Sequence, residues 1–199
     1  MEYYENTNIR SFQMDTKTKW NSKHKERIEQ LKEPALNLRL KNMSPYLSGG
    51  TALDLACGLG GNSFFLARMN YSVVAMDISD VAINYIQDYS VKNNLKLRPL
   101  VTDLTNLNSL NWPNSPYDLI VISYFLDRSL FPIVKNLIRE DGYFFMETFY
   151  QSPLDENQRV SNQYKLKSKE LLAEFGDWKV VFFEENEKEG RQTIFCKKC

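Results

Sequence analysis

Residues 51–77 read TALDLACGLGGNSFFLARMNYSVVAMD, and this stretch decides the fold. Ala52 to Ala56 is an apolar run of strand length that stops at the turn Cys57-Gly58-Leu59-Gly60-Gly61. Glycine serves such a turn because it allows positive φ and close approach of a ligand to the backbone. A helical pattern follows from about Asn62 to Met69, with Asn62 or Ser63 placed to cap its first turn. A second apolar strand, Ser72 to Met76, closes on Asp77. Strand, glycine turn, helix, strand and acid together build a site for an adenosine-containing cofactor at the carboxyl edge of a parallel sheet.

Outward from this stretch, strands and helices keep alternating. Ser79 is placed to cap a helix whose apolar positions Ala82, Tyr85, Ile86 and Tyr89 recur at three and four. Leu97 to Thr102 is a third strand ending at Asp103, and Asn106 to Pro116 is turn chemistry. Tyr117 to Ser123 is a fourth strand, whose continuous apolar run suits a sheet covered on both faces. The pattern predicts a helix over Leu130–Ile138 that opens around Pro132 and is ended by Asp141-Gly142. A strand over Tyr143–Thr148 follows, then the long polar stretch Gln151–Tyr164, read as a lid or binding loop. Ser168 is placed to cap a helix to about Phe175. The strands Val180–Glu184 and Thr193–Lys197 have only the charged hairpin Glu185–Gly190 between them, so the last must return antiparallel. Ahead of the core, Ile28, Leu31, Leu36 and Leu40 predict two short helices interrupted by Pro34, and residues 1–19 predict a loose arm. The expected architecture is α/β: a three-layer, Rossmann-like fold on a seven-stranded, mostly parallel sheet with the last strand antiparallel. Residues 1–40 are expected to form an arm and short helices covering the site, and residues 41–199 the main body of what is a single domain overall.

Composition narrows the function. The chain has 199 residues, 43% hydrophobic and 25% charged, with a formal net charge of zero, so it carries no broad basic footprint for nucleic acid. No apolar run approaches the ~20 residues of a membrane span, and the acidic start MEYYENTNIR does not read as a secretory signal. Three cysteines without a signal fit reduced thiols in the cytoplasm. Cys196 and Cys199 form a C-x-x-C pair, but with a single histidine in the chain, His24, no four-ligand zinc set exists, so no metal is expected.

The dinucleotide fingerprint G-x-G-x-x-G requires a third glycine, and here that register holds Ser63. DLACGLG at Asp54–Gly60 resembles instead the first motif of S-adenosylmethionine-dependent methyltransferases of class I. VTDL at Val101–Leu104 resembles that family's third element, and Asp77 stands where its ribose-binding acid stands. WNSKH at Trp20–His24 is similar to the W-D-x-R-Y segment of the tellurite-resistance-type small-molecule branch. SYFLDRSLFP at Ser123–Pro132 and ETF at Glu147–Phe149 resemble the branch's later motifs, so the likeness covers about residues 20 to 197. The resemblance implies S-adenosyl-L-methionine as cofactor and S-adenosyl-L-homocysteine as product. It implies contacts from Trp20, Lys23, Asp54, Ala56, Cys57, Gly58, Gly60 and Asn62, then from Asp77, Ile78, Ser79, Thr102, Asp103, Leu104, Ser123 and Tyr124. Asp54 would serve the methionine amino group, Asp77 both ribose hydroxyls, and Asp103 the adenine amino group. The chain departs from the branch at Lys23 and His24, in place of Arg and Tyr, and at Asp127, where a histidine is usual.

Methyl transfer from a sulfonium needs alignment and exclusion of water more than proton transfer. For an oxygen acceptor the candidate bases are His24, Asp127, Glu147 and Tyr124. Each has a plain structural alternative: His24 exposed, Asp127 capping a helix or pairing with Arg128, Glu147 a buried strand-end acid. Glu147 and Arg128 are the expected catalytic pair facing the pocket. The fourth strand lacks the Asn/Asp-Pro-Pro-aromatic segment used on exocyclic amines, which favours a small-molecule acceptor. Tyr3, Tyr4, Phe12, Trp20, Phe149, Tyr150 and Tyr164 are candidate apolar walls, or ordinary packing. The alternatives are an RNA methyltransferase using the basic segment Lys17–Arg27, and a non-catalytic cofactor-binding protein.

Overall fold

The computed structural model describes residues 15–30, 32–106, 110, 112, 116–154 and 160–199. Its strands are β1 (Gly50–Leu55), β2 (Tyr71–Asp77), β3 (Leu97–Val101), β4 (Tyr117–Ser123), β5 (Ile138–Phe149), β6 (Lys179–Asn186) and β7 (Arg191–Lys197). They form one sheet in the order β3-β2-β1-β4-β5-β7-β6. The first five pair in parallel, and β7 runs antiparallel to both β5 and β6. The chain winds outward from β1 to β3 and then returns to place β4 on the other side of β1. That reversal places the topological switch point, where open α/β sheets bind ligands, at the carboxyl ends of β1 and β4.

The helices are α1 (Thr16–Glu29), α2 (Leu38–Asn42), α3 (Gly61–Arg68), α4 (Asp80–Lys92), α5 (Leu130–Leu137) and α6 (Glu170–Phe175). Apolar side chains leave both faces of the central strands because each face is covered. On one face Leu53, Leu55, Ile120, Ile122, Phe144 and Met146 pack with Leu130 and Val134 of α5 and Phe175 of α6. On the other, Ala52, Leu119, Val121 and Phe145 meet Leu40 and Leu66, and Ala75 lies among Phe64, Ile83 and Ile86 of α3 and α4. Among the described residues no helix is long and apolar enough to cross a membrane.

Several boundaries differ from the sequence reading. Residues 1–14, with Tyr3, Tyr4 and Phe12, lie outside the described residues, as does Leu31. The remainder of the expected arm is helical, because Asp15 accepts the Thr18 N–H at 3.0 Å and starts α1 well before Trp20. Pro34 ends no helix: the chain from 32 to 37 is non-helical, and Asn37 caps α2 by accepting from the N–H groups of Arg39 and Leu40. Helix α3 is capped by Gly60, at φ 84°, which frees Asn62 and Ser63 for other partners. Strand β5 begins at Ile138, paired with Tyr117, so Asp141-Gly142 bends a strand instead of ending a helix. Helix α6 starts after Lys169, at φ 58°, and Ser168 Oγ donates to Glu185 instead of capping. Ser79 caps α4 as its position implies, accepting from the Ala82 N–H at 3.1 Å.

Candidate active site

The glycine turn hangs between the ends of β1 and β2. Ala56 and Gly58 both hold φ of 54°, in the left-handed region where a Cβ is strained, so the turn keeps an unfavourable backbone at the switch point. Asp77 orients it: one carboxylate oxygen accepts from the Gly58 N–H at 2.8 Å and the other from the Ser79 N–H at 2.9 Å. Each of those oxygens keeps a further lone pair. The Thr102 N–H donates to the Asp77 carbonyl at 2.8 Å, bringing the end of β3 beside it. Asp103 is exposed and uses one carboxylate oxygen to fold its own turn, accepting from the Thr105 N–H and hydroxyl, while Leu104 is buried.

Asp54 lies behind the turn and is 1% exposed. Oδ2 accepts from Ser63 Oγ at 2.5 Å, and Oδ1 is buried without a partner. Burial pushes its carboxyl up to about 7, against the Ser63 hydrogen bond, with the Asp77 charge adding to the rise. An unsatisfied buried carboxylate oxygen costs on the order of 1–3 kcal/mol and calls for a donor. Burial likewise drives the Cys57 thiol well above its ordinary range, so Cys57 serves as a small turn residue and not as a nucleophile.

The N-terminal elements close over this turn. His24 is 2% exposed, stacks on Trp20 at 5.7 Å, and places Cε1 3.4 Å from where a Gly58 Cβ would stand. Among the described residues its Nδ1 is the other buried side-chain polar atom without a hydrogen-bond partner. Burial holds its imidazole below the ordinary range, opposed by Asp77. Lys23 lies over the Trp20 ring at 4.6 Å. Ser79 Oγ donates to Asn21 at 2.7 Å, and Lys17 pairs with Asp80 at 3.0 Å, docking α1 on the start of α4. Further on, the Asn37 N–H donates to Asn62 Oδ1 at 2.9 Å, and Asn62 Nδ2 donates to Ser123 Oγ at 3.1 Å.

At the end of β5, Glu147 sits opposite Ser123 of β4 and is 1% exposed. Oε1 accepts from Tyr124 Oη at 2.8 Å and Asn37 Nδ2 at 2.9 Å; Oε2 accepts from Thr193 Oγ1 at 3.0 Å and Arg39 Nη1 at 3.2 Å. Arg39 also pairs with Glu184 and, at 2.9 Å, with Glu189. Burial, with Glu147 adding to it, pushes the Tyr124 hydroxyl up to about 12, so it remains a donor at neutral pH. The Arg191 guanidinium lies 3.8 Å from the Phe149 ring and 5.2 Å from that of Tyr124.

The two expected catalytic side chains are not in contact. Arg128 pairs with Glu170 of α6 at 2.5 Å and donates to the Lys165 carbonyl, leading it toward α6 and away from Glu147. Asp127 accepts from the Ser129 N–H at 3.0 Å, shaping the approach to α5. Sequence reading passed over Asn37, Arg39, Thr193 and Arg191, whose role depends on strands distant in the chain. It read Ser63 only as a helix cap. Among the described residues no cluster of three His, Cys, Asp or Glu side chains is arranged to hold a metal.

The sheet order, with its antiparallel last strand, and the switch-point glycine turn are those of the Rossmann-like fold that S-adenosylmethionine-dependent methyltransferases share. The chain belongs to the family of the tellurite resistance protein TehB, whose model matches residues 34–194. A Haemophilus influenzae protein named "Probable S-adenosyl-L-methionine-dependent methyltransferase TehB" is 29% identical over 147 residues, covering 71% of this chain and 50% of that protein. An Eikenella corrodens protein named "Hemagglutinin 1" is 30% identical over 140 residues, 67% of this chain and 45% of that one. The chain thus spans about half the length of these relatives. The crystal structure of TehB from Haemophilus influenzae has the same fold, with a TM-score of 0.74 at 21% identity over 89% of this chain and 67% of that one.

Proposed function

We infer that the chain binds S-adenosyl-L-methionine at the switch point between β1 and β4 and transfers its methyl group to a small-molecule acceptor by in-line displacement. One observation carries this reading: the buried Asp54 Oδ1, a carboxylate oxygen without a partner behind the glycine turn, fits the cofactor's ammonium group. Asp77, already oriented by two backbone N–H groups, is set to accept from the ribose hydroxyls. Thr102, Asp103 and Leu104 flank the adenine, Ser123 and Tyr124 face the methyl end, and Trp20 and Lys23 lie in the cover. When bound, the cofactor supplies a sulfonium methyl group whose displacement leaves S-adenosyl-L-homocysteine.

The protein's own share is alignment and exclusion of water, worth up to ~7–11 kcal/mol when the geometry is near attack. The N-terminal elements and the stretch 151–164 are the closing parts. Residues 155–159 of that stretch lie outside the described residues. Tyr124, half exposed at the end of β4, presents its ring to the acceptor side while its hydroxyl is held by Glu147. The small-molecule reading is favoured over RNA because the basic segment is partly committed: Lys17 pairs with Asp80 and Lys23 rests on Trp20. The three cysteines are unpaired, in keeping with a cytoplasmic setting.

Isothermal titration with S-adenosylmethionine and with NAD tests the cofactor. Tight NAD binding without sulfonium binding overturns the reading. Transfer of labelled methyl into a fractionated cell extract then identifies the acceptor, and label in RNA alone would replace the small-molecule assignment. Asp77→Ala is expected to weaken cofactor binding at least tenfold while the far-ultraviolet spectrum is kept; unchanged affinity would remove Asp77 from the site.

A further inference from the structure

The glycine turn is part-exposed, but the polar atoms behind and beside it are not. Asp54 Oδ1 and His24 Nδ1, the two described buried side-chain atoms without a hydrogen bond, both lie at it and are closed to solvent. A ligand group reaches Asp54 Oδ1 only after the atoms that bury it move, and the N-terminal segment presses on both ends of the turn, His24 at Gly58 and the Ala35 carbonyl at Gly61. The cover runs through residues 15–30 and 32–42. Its first element, α1, buries only His24 fully and rests on α4 through Lys17–Asp80 and Ser79–Asn21. The second anchor is at the far side of the switch point, where Asn37 and Arg39 both end on Glu147.

Glu147 also holds Tyr124, and by two separate groups. The Tyr124 N–H donates to the Glu147 carbonyl at 2.8 Å and the Tyr124 hydroxyl to its carboxylate at 2.8 Å. Tyr124 has φ of 59°, a conformation that an aromatic residue keeps only where its surroundings impose it. The carboxylate receives Asn37, Tyr124, Arg39 and Thr193, and four donors fill the roughly four lone-pair positions of a carboxylate. In this arrangement no lone pair is directed at an acceptor proton, so general-base work is closed to it.

We propose that Glu147 is a positioning residue that latches the cover to Tyr124, so that closure over the cofactor and presentation of Tyr124 to the acceptor are one event. The proposal rests on the methyltransferase reading above and deepens it. Glu147 acts through Asn37 and Arg39 on the cofactor side and through Tyr124 on the acceptor side.

The test is the dissociation rate of S-adenosylhomocysteine from the full chain, followed by stopped flow in the wild type, Glu147→Gln and Asn37→Asp. Glutamine keeps the side chain's size and an oxygen for Tyr124, and places an amide against Arg39. Aspartate keeps the oxygen that caps α2 and turns the donor toward Glu147 into an acceptor. Both variants are expected to release the ligand about tenfold faster or more, the scale of losing a hydrogen bond to a charged group. Rates within twofold of wild type in both overturn the latch. If a variant does not fold, amide exchange in the wild type decides. Saturating S-adenosylhomocysteine should slow the Asn37 and Tyr124 amides by the same factor, and slowing of one without the other overturns the single event. A wild type that binds neither S-adenosylhomocysteine nor S-adenosylmethionine overturns the methyltransferase reading itself, an outcome distinct from unchanged rates in a protein that binds.

Discussion

At the scale of single residues, Asp54 couples the site to pH. Its carboxyl, pushed up to about 7 in the folded chain, titrates near its ordinary value when unfolded. The folded state therefore holds a proton that the unfolded state releases between about pH 4 and 7. Stability from this group is complete below that window and is lost as the pH rises through it, on the order of 4 kcal/mol. Asp54→Asn should flatten this part of the urea-unfolding profile of the free protein. With the ammonium group placed at Asp54 as proposed, cofactor binding would have the opposite sign, because that group pairs with the ionised carboxylate. Affinity for S-adenosylmethionine is expected to rise by up to about tenfold per pH unit below pH 7 and then level off. Titration calorimetry at pH 5.5, 6.5 and 8 checks this, and equal affinities at all three would remove Asp54 from the ammonium subsite. That Asp54, Asp77 and Asp103 stand near the ends of three successive strands was legible from the sequence, since Asp54 comes just before the glycine turn and the other two follow apolar runs. The partner of Arg128 was not, because Glu170 lies in an element that reaches it only through the fold.

Among the elements, the segment before α2 shows how local pattern and tertiary packing divide the work. Asn37 caps α2 through its side-chain oxygen, yet its donors reach Asn62 and Glu147. Packing at Gly61 makes the docking close: a Cβ there would stand 2.2 Å from the Ala35 carbonyl oxygen and 2.9 Å from that of Pro34. Those atoms are backbone and cannot rotate away. Alanine ordinarily favours a helix over glycine by about 1 kcal/mol, and overpacking costs about 1–3 kcal/mol. Gly61→Ala is therefore expected to lower stability and weaken S-adenosylhomocysteine binding together, read by urea unfolding and calorimetry. A more stable variant with unaltered affinity would show that the segment does not press on α3. The early start of β5 was hidden for a similar reason. Ile138 is as apolar as the helix before it, and only pairing with Tyr117 makes it strand.

For the molecule as a whole, the sheet's two apolar faces form the core and its switch point holds the candidate site. A ligand that binds only the folded chain stabilises it by mass action. At a hundredfold excess over Kd, S-adenosylmethionine should add about 2.7 kcal/mol, a rise of roughly 5–10 °C in Tm for a domain of this size. NAD at the same concentration should leave Tm unchanged, and a shift with NAD alone would favour the dinucleotide alternative. In the core, Phe144→Ala should cost about 3–5 kcal/mol, because Phe144 is fully buried against Phe175. Denaturant unfolding measures that loss, and a cost under 1 kcal/mol would mean this face is loosely packed. By itself the sequence determined the alternation of strands and helices, the antiparallel last strand, the glycine turn and the acids at the strand ends. These are short-range features, set by periodicity, turn chemistry and the lack of a helix between the final strands. Only the tertiary structure decided that Asp54 Oδ1 has no partner, that His24 is buried on Gly58, and that Glu147 joins the cover to Tyr124. Such properties depend on which distant side chains arrive at the same point, and hydrogen-bond satisfaction and burial exist only once the chain has closed on itself.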